Sequence, residues 1–326
     1  MLSRLSQVTR HLSPASPGFI RRTPFGSMTA AMVSERNSRT INTAACLIIG
    51  DEVLGGKTVD TNSAYMAKWC FALGISLKRV EVIEDDESEI MEAVQRMSDR
   101  YDFVVTSGGI GPTHDDITYQ SIAKAFNLPL KLHEEAFEKM KRLSKPKPGQ
   151  PPFDWDTPSA ALTAKLRMIE LPTDDFTESD KQFIFPHEDL WVPVACVNGN
   201  VHILPGVPRL FEKLIDGLKP IIRSRLADPD GKGVFRLMIS TPMPESAVAG
   251  YLTELAKKVE PHGVKVGSYP RWEKKRNTVT LVGKDQAYLE SLVAEVEQNV
   301  NGKRVMVEGE DDSGDEADNI KNDKDA

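Results

Sequence analysis

A chain of 326 residues is longer than one small hydrophobic core serves, and it points to two domains. With 40% apolar and 27% charged residues the composition is that of an ordinary globular protein, while a formal net charge of -7 is the wrong sign for a general nucleic-acid binder. No apolar run approaches the roughly 20 residues that span a bilayer, so neither nucleic acid nor a membrane is the expected partner.

The first 34 residues contain Arg4, Arg10, Arg21 and Arg22, several serines and no acid, the composition of a mitochondrial presequence. The alternative is an untargeted extension of a cytoplasmic protein. Either way residues 1–40 are expected to be disordered, with folded structure starting near Asn42. "AACLIIG" reads as a buried strand ended by glycine. In "TNSAYMAKWCFALG" the apolar residues Tyr65, Trp69 and Leu73 recur every four positions, as on a helix, and Gly74 supplies a stop. "ISLKRVEVI" alternates as a strand. "DESEIMEAVQRM" is a helix with Asp86 as its cap and Glu89 three residues on. "YDFVVTS" is a third buried strand and "DITYQSIAKAF" a third helix. Strands alternating with helices predict an α/β domain with a parallel sheet covered on both faces, with the strand ends along one rim.

Regularity breaks at "KPKPGQPPFDWDTP", a proline-rich loop or arm, and residues 161–200 show no clear period. "NVHILPGVP" restores a strand and turn, and "RLFEKLIDGLKPIIRSRL" is an amphipathic helix that closes the first domain, residues 41–228. Residues 234–307 read strand-helix-strand-strand-helix-strand, the split βαβ, ferredoxin-like arrangement of a small α+β domain. Residues 308–326 form an acidic tail without aromatics, expected to stay solvated. Cys46, Cys70 and Cys196 are too scattered for a disulfide framework or a zinc site.

The chemistry concentrates in "TSGGIGPTHDDITYQ", where a strand ends and a helix begins. A glycine turn there lets backbone N–H groups approach a phosphate, helped by the positive helix end. Asp115 and Asp116 repel an anion, but they suit a divalent cation lying between them and phosphate oxygens. A tight turn with Asp115 as a helix cap accounts equally for one carboxylate; the second is what a cap leaves unexplained. "GDEVLGG" places Asp51 and Glu52 on the same rim after the first strand, and Asp85 and Asp86 follow the second. "LPGVPRLF" adds a fourth turn, with Arg209 as either a phosphate contact or an exposed surface arginine. His114 reads as a base or a solvated side chain. Arg271 and Trp272 read as a ring platform or as packing at the domain junction.

"GDEVLGGKTVDTN" together with "TSGGIGPTHDDIT" resembles the molybdopterin-binding domain of the molybdenum-cofactor biosynthesis and competence-damage proteins. "LPGVP" and "GSYP" extend the likeness to the amino-terminal region of eukaryotic FAD synthases, over residues 42–306. The resemblance implies a three-layer α/β/α domain with a mixed, mostly parallel sheet. The FAD-forming domain of those enzymes has no counterpart before the acidic tail, so the expected activity is instead metal-dependent cleavage of FAD, or a related dinucleotide, to FMN and AMP. The alternative is a non-catalytic nucleotide- or pterin-binding module. Carried onto this sequence, the catalytic positions are Asp116, Asp115 and Asp85. Substrate falls to Gly108, Gly109, Gly111, Pro112 and Thr118 of the loop, to Asn62 of the DTN turn and to Gly206. A divalent metal (Mg, Mn or Co) falls to Asp51 and Asp116. Related domains form dimers or trimers, so a homo-oligomer is a further expectation.

Overall fold

A helix, α1 (Ala30–Ser38), precedes the first strand that the sequence pattern predicts. The structure is a computed structural model describing residues 30–144, 146, 152–229, 233–271, 274, 276–307 and 310. The expected disorder of residues 1–40 is therefore corrected for 30–38. Val33 is buried, and Arg36 donates from Nη1 to the Ser98 carbonyl and hydroxyl at 3.1 and 2.8 Å and from Nη2 to Asp99 at 3.1 Å. The expectation rests on composition, and a composition count does not see partners that lie sixty residues away. The presequence reading of residues 1–29, the acidic tail apart from Glu310, and Trp272 lie outside the described residues.

The apolar run becomes β1 (Thr43–Ile49), followed by the short α2 (Asp51–Leu54) and by α3 (Asn62–Ala72). Then come β2 (Ser76–Ile83), α4 (Glu87–Arg100), β3 (Phe103–Ser107) and α5 (Thr118–Ala125). Next come β4 (Leu130–Leu132) and α6 (Glu134–Leu143), and then α7 (Ala160–Arg167), β5 (Glu170–Pro172) and α8 (Ser179–Gln182), which fall in the stretch without a legible period. These elements gather around their own small cluster of Ala136, Met140 and Ile169, with Phe137 and Trp155 against it. The chain returns through β6 (Phe183–Ile184), β7 (Val194–Val197), β8 (Val201–Leu204) and α9 (Pro208–Ile222).

The six strands run in the order β2-β1-β3-β8-β7-β6. The first three pairings are parallel and the last two antiparallel, so the sheet is mixed. From β1 the chain moves one way to β2 and then back across β1 to β3. Right-handed crossovers in opposite directions lie on opposite faces. Accordingly α3 packs with α9 and α4 packs with α5, giving three layers. β1 is buried from Ala44 to Ile49 and β3 along its whole length, and Met66 and Trp69 of α3 and Ile90, Val94 and Met97 of α4 close over them.

The second unit contains β9 (Phe235–Thr241), α10 (Glu245–Val259), β10 (Lys265–Arg271), β11 (Arg276–Gly283), α11 (Gln286–Val300) and β12 (Lys303–Val305). Its antiparallel order β10-β11-β9-β12 is that of the split βαβ arrangement. Leu237, Ile239, Val279 and Leu281 of its sheet meet Leu289, Leu292 and Val296 in a core of their own.

Candidate functional site

Between the parallel neighbours β1 and β3 the strand order switches direction, and the crevice outside the carboxyl ends of strands at such a point is where α/β sheets take ligands. The glycine turn sits there. Gly108 (φ 115) and Gly109 (φ 64) both occupy the left-handed region that side chains avoid. A Cβ on Gly108 would overlap the Ile49 carbonyl, so the end of β3 lies directly against the end of β1. Gly206 presses on the other side, where a Cβ would stand 3.3 Å from Gly108 Cα. Thr118 is fully buried; its hydroxyl donates to the Gly108 carbonyl at 2.9 Å and its N–H to the Gly109 carbonyl at 2.9 Å. The expectation that Thr118 meets substrate is thereby corrected, because its bonding groups are spent on locking the turn. Gly111 leaves room for Asp116, whose Oδ2 would lie 2.5 Å from a Cβ there, and Pro112 is exposed.

Asn62, in the first turn of α3, is buried and ties two loops together. Its amide donates to the Ser107 hydroxyl and to the Gly206 carbonyl, each at 2.9 Å. Its Oδ1 is buried with no hydrogen-bond partner among the described residues. The asparagine lines a small recess with Glu52, Asp60, Ser107 and Gly206. A buried acceptor left unpaired costs about 1–3 kcal/mol, and a ligand hydroxyl or amine entering the recess would relieve that.

The acids divide into three situations. Asp51 and Asp85 exchange hydrogen bonds: the Asp51 N–H donates to Asp85 Oδ2 at 3.1 Å, and the Asp85 N–H to Asp51 Oδ1 at 3.3 Å. Burial pushes the half-buried Asp85 carboxyl above its ordinary value, and the negative charges of Asp51, Glu52 and Asp115 add to this against the lowering by the Asp51 N–H. Asp86 faces away and caps α4, accepting from the N–H groups of Ser88 and Glu89 at 2.8 and 3.1 Å. Asp115 is exposed and caps nothing, since the residue before α5 is Ile117 and that helix start has no side-chain cap. The nearby Thr113 side chain first, and then the Asp115 backbone N–H, hold its carboxyl below the ordinary range.

Asp116 closes its own turn, its Oδ2 accepting from Thr113 N at 2.9 Å and from Thr113 Oγ1 at 2.5 Å. The carboxyl that Asp51 meets directly is therefore Asp85 rather than the expected Asp116, whose Oδ2 Thr113 engages within its own turn. Among the described residues no group of three or more His, Cys, Asp or Glu side chains stands ready to hold a metal. His114 is solvated, 4.0 Å from Asp115, and Arg209 is exposed in the first turn of α9. Cys46 and Cys70 are free thiols buried in the core, pushed above their ordinary value by that burial.

One residue of the site escaped the sequence. Arg167, at the end of α7, donates from Nη2 to the main-chain carbonyl of Asp116 at 2.7 Å, and its buried Nε has no partner among the described residues. It is the cation that touches the acidic loop. It comes from a stretch whose period was illegible, so no signal in the chain marked it.

Residues 45–224 match the family model described as "Probable molybdopterin binding domain". Residues 234–308 match "FAD synthase, middle domain". A "Probable FAD synthase" of Caenorhabditis elegans is 32% identical over 274 residues, covering 80% of this chain and 50% of that protein. A "CinA-like protein" of Anaeromyxobacter dehalogenans is 28% identical over 277 residues, covering 82% of this chain and 61% of that one. The chain thus spans about half the length of the FAD synthase relative. The crystal structure of the protein CinA, of unknown function, from Thermoplasma acidophilum is 31% identical, covering 56% of this chain and 98% of that chain with a TM-score of 0.45.

Proposed function

The chain belongs to the family of probable molybdopterin binding domains, and from that premise we propose that its crevice is a divalent-metal-dependent pyrophosphatase site that cleaves FAD, or a related dinucleotide, to FMN and AMP. The observation that carries this reading is the Asp51–Asp85 pair, two carboxylates held together by reciprocal hydrogen bonds beside the glycine turn. Their mutual repulsion favours a hard cation such as Mg²⁺, Mn²⁺ or Co²⁺. Asp51 and Asp85 would hold that ion, which when bound neutralises charge on the pyrophosphate oxygens. The relatives named as probable FAD synthases place the chain near flavin metabolism and give FAD as the first substrate to try.

The chain's own groups then have definable parts. The backbone around Gly108, Gly109 and Gly206 approaches the phosphates without a side chain in the way. Asn62 Oδ1 accepts from a ligand hydroxyl or amine in the recess. The exposed Asp115 carboxylate, which caps nothing, orients the attacking water and takes its proton as the water oxygen bonds to phosphorus. The bridging P–O bond breaks, and its electron pair leaves on the phosphate of the departing nucleotide. Arg167 steadies the loop bearing Asp115 and Asp116.

The unpaired acceptor of Asn62 in the recess favours a second reading, a module that binds a nucleotide or pterin without cleaving it. One experiment separates the two. The full chain is incubated with FAD and with Mg²⁺, Mn²⁺ or Co²⁺, with and without chelator, and FMN release is followed by fluorescence. Metal-dependent release supports the hydrolase. Saturable FAD binding with no release in any metal hands the site to the binding module.

A further inference from the structure

A second concave site lies at the far end of α9. That helix starts at the rim, where Pro208 lines the recess, and runs 15 residues, about 22 Å at ~1.5 Å per residue, to a cavity of about 510 Å³. The volume falls within the range of small-molecule pockets, about 300–1,000 Å³. None of the motifs above touches it. Its walls are α1, α8 with β6, and the turn after α9; its floor is formed by β7 and β8.

The floor brings no charge. Cys196 and His202 face each other on paired strands. Burial pushes the thiol up to about 12 and, with the Arg225 charge, the imidazole down to about 3, so both are neutral near pH 7. The charge sits on the wall. Arg225 donates from Nε to the Arg39 carbonyl at 3.1 Å and from Nη2 to the Arg36 carbonyl at 3.0 Å, which fixes its plane against the end of α1. It forms no ion pair among the described residues, and burial holds it below its ordinary value. Its Nη1 has no hydrogen bond among those residues.

Nor do three neighbouring donors on the same wall. Asn37 uses its Oδ1 to accept from the Cys196 thiol at 3.9 Å, leaving its Nδ2 free, and the hydroxyls of Ser34 and Ser224 are likewise without bonds. Lys181 at the mouth is spent on Glu178 at 2.6 Å, and Asp180 beside it is exposed. Ile184, Ile221 and Ile222 supply an apolar lining. A half-buried guanidinium with further donors beside it matches an anionic head, and the isoleucines match a short hydrocarbon body.

We propose that this cavity binds a small organic monoanion, a carboxylate with a short apolar chain, through Arg225, Asn37, Ser34 and Ser224. The carboxylate accepts from Arg225 Nη1 and the neighbouring donors, and the chain lies along Ile184 and Ile221. The site is separate from the crevice and owes nothing to hydrolysis there.

The test uses the full chain and hexanoate as probe, with inorganic phosphate and 1-hexanol as arms lacking the chain or the charge. Binding is measured by titration calorimetry and by the His202 imidazole resonances in NMR spectra. Hexanoate should bind saturably, shift the His202 signals, and exceed both arms in affinity. Ile221 is 46% exposed, so Ile221→Glu should fold while placing a negative charge at the lining. It should weaken hexanoate at least about tenfold, as should Arg225→Gln. No saturable hexanoate binding by the wild type, equal binding of phosphate, or unchanged affinity in a folded Ile221→Glu protein would each overturn the proposal.

Discussion

Asp85→Asn should make the protein more stable and less competent at once. In the folded chain the Asp85 carboxyl is raised, first by burial and then by the charges of Asp51, Glu52 and Asp115. Ionisation of a raised group opposes folding. Its stability contribution is therefore complete below the ordinary carboxylate value, about pH 4, and is lost as pH rises through the folded value. An amide is neutral at every pH and accepts the same bond from the Asp51 N–H. Two unit charges 4 Å apart repel by about 1 kcal/mol in water and about 4 kcal/mol at an effective dielectric of 20. Half-exposure at the rim places Asp85 near the lower figure. About 1 kcal/mol corresponds to a Tm higher by roughly 2–4 °C in a domain of this size. The gain should be present at pH 7.5 and vanish near pH 4, as read by thermal melts at the two values. The same change removes an anionic ligand, so Mn²⁺ affinity by calorimetry should fall, and FMN release should drop about a hundred- to a thousand-fold. A variant less stable than wild type at pH 7.5, or one with undiminished Mn²⁺ affinity, would refute the claim that strained carboxylates are held for a cation.

Three further changes probe the supports. Gly109→Ala forces a left-handed residue and drives a Cβ into the buried Thr118 hydroxyl, so a loss of about 2–3 kcal/mol in denaturant unfolding is expected. Arg167→Ala should leave the melt nearly unchanged yet quicken limited proteolysis between residues 111 and 116 and weaken Mn²⁺, whereas cleavage at the wild-type rate would show that the Asp116 carbonyl contact restrains nothing. Asp86→Ala should cost about 1 kcal/mol as a lost helix cap and leave FAD handling intact, so a large change in FMN release would return Asp86 to the site.

The alternating layout was legible because period and composition are local: "AACLIIG" and "YDFVVTS" are buried on both faces, and β1 and β3 are where those runs stand. The glycines were legible for a related reason, since positive φ at Gly108 and Gly109 is a property of the residue itself. What the acids do was not. Asp51, Asp85, Asp86, Asp115 and Asp116 read alike in one dimension. Only the folded chain pairs the first two, turns Asp86 onto the α4 N–H groups, and spends Asp116 on Thr113. Thr118 passed for a ligand contact because its burial depends on how α5 seats against the turn. Arg36 and Arg167 were invisible for the converse reason: each acts through a partner distant in sequence, Ser98 and Asp116 respectively. A side chain's type sets which bonds it can form; which of them it does form depends on the groups that tertiary packing brings within about 3 Å.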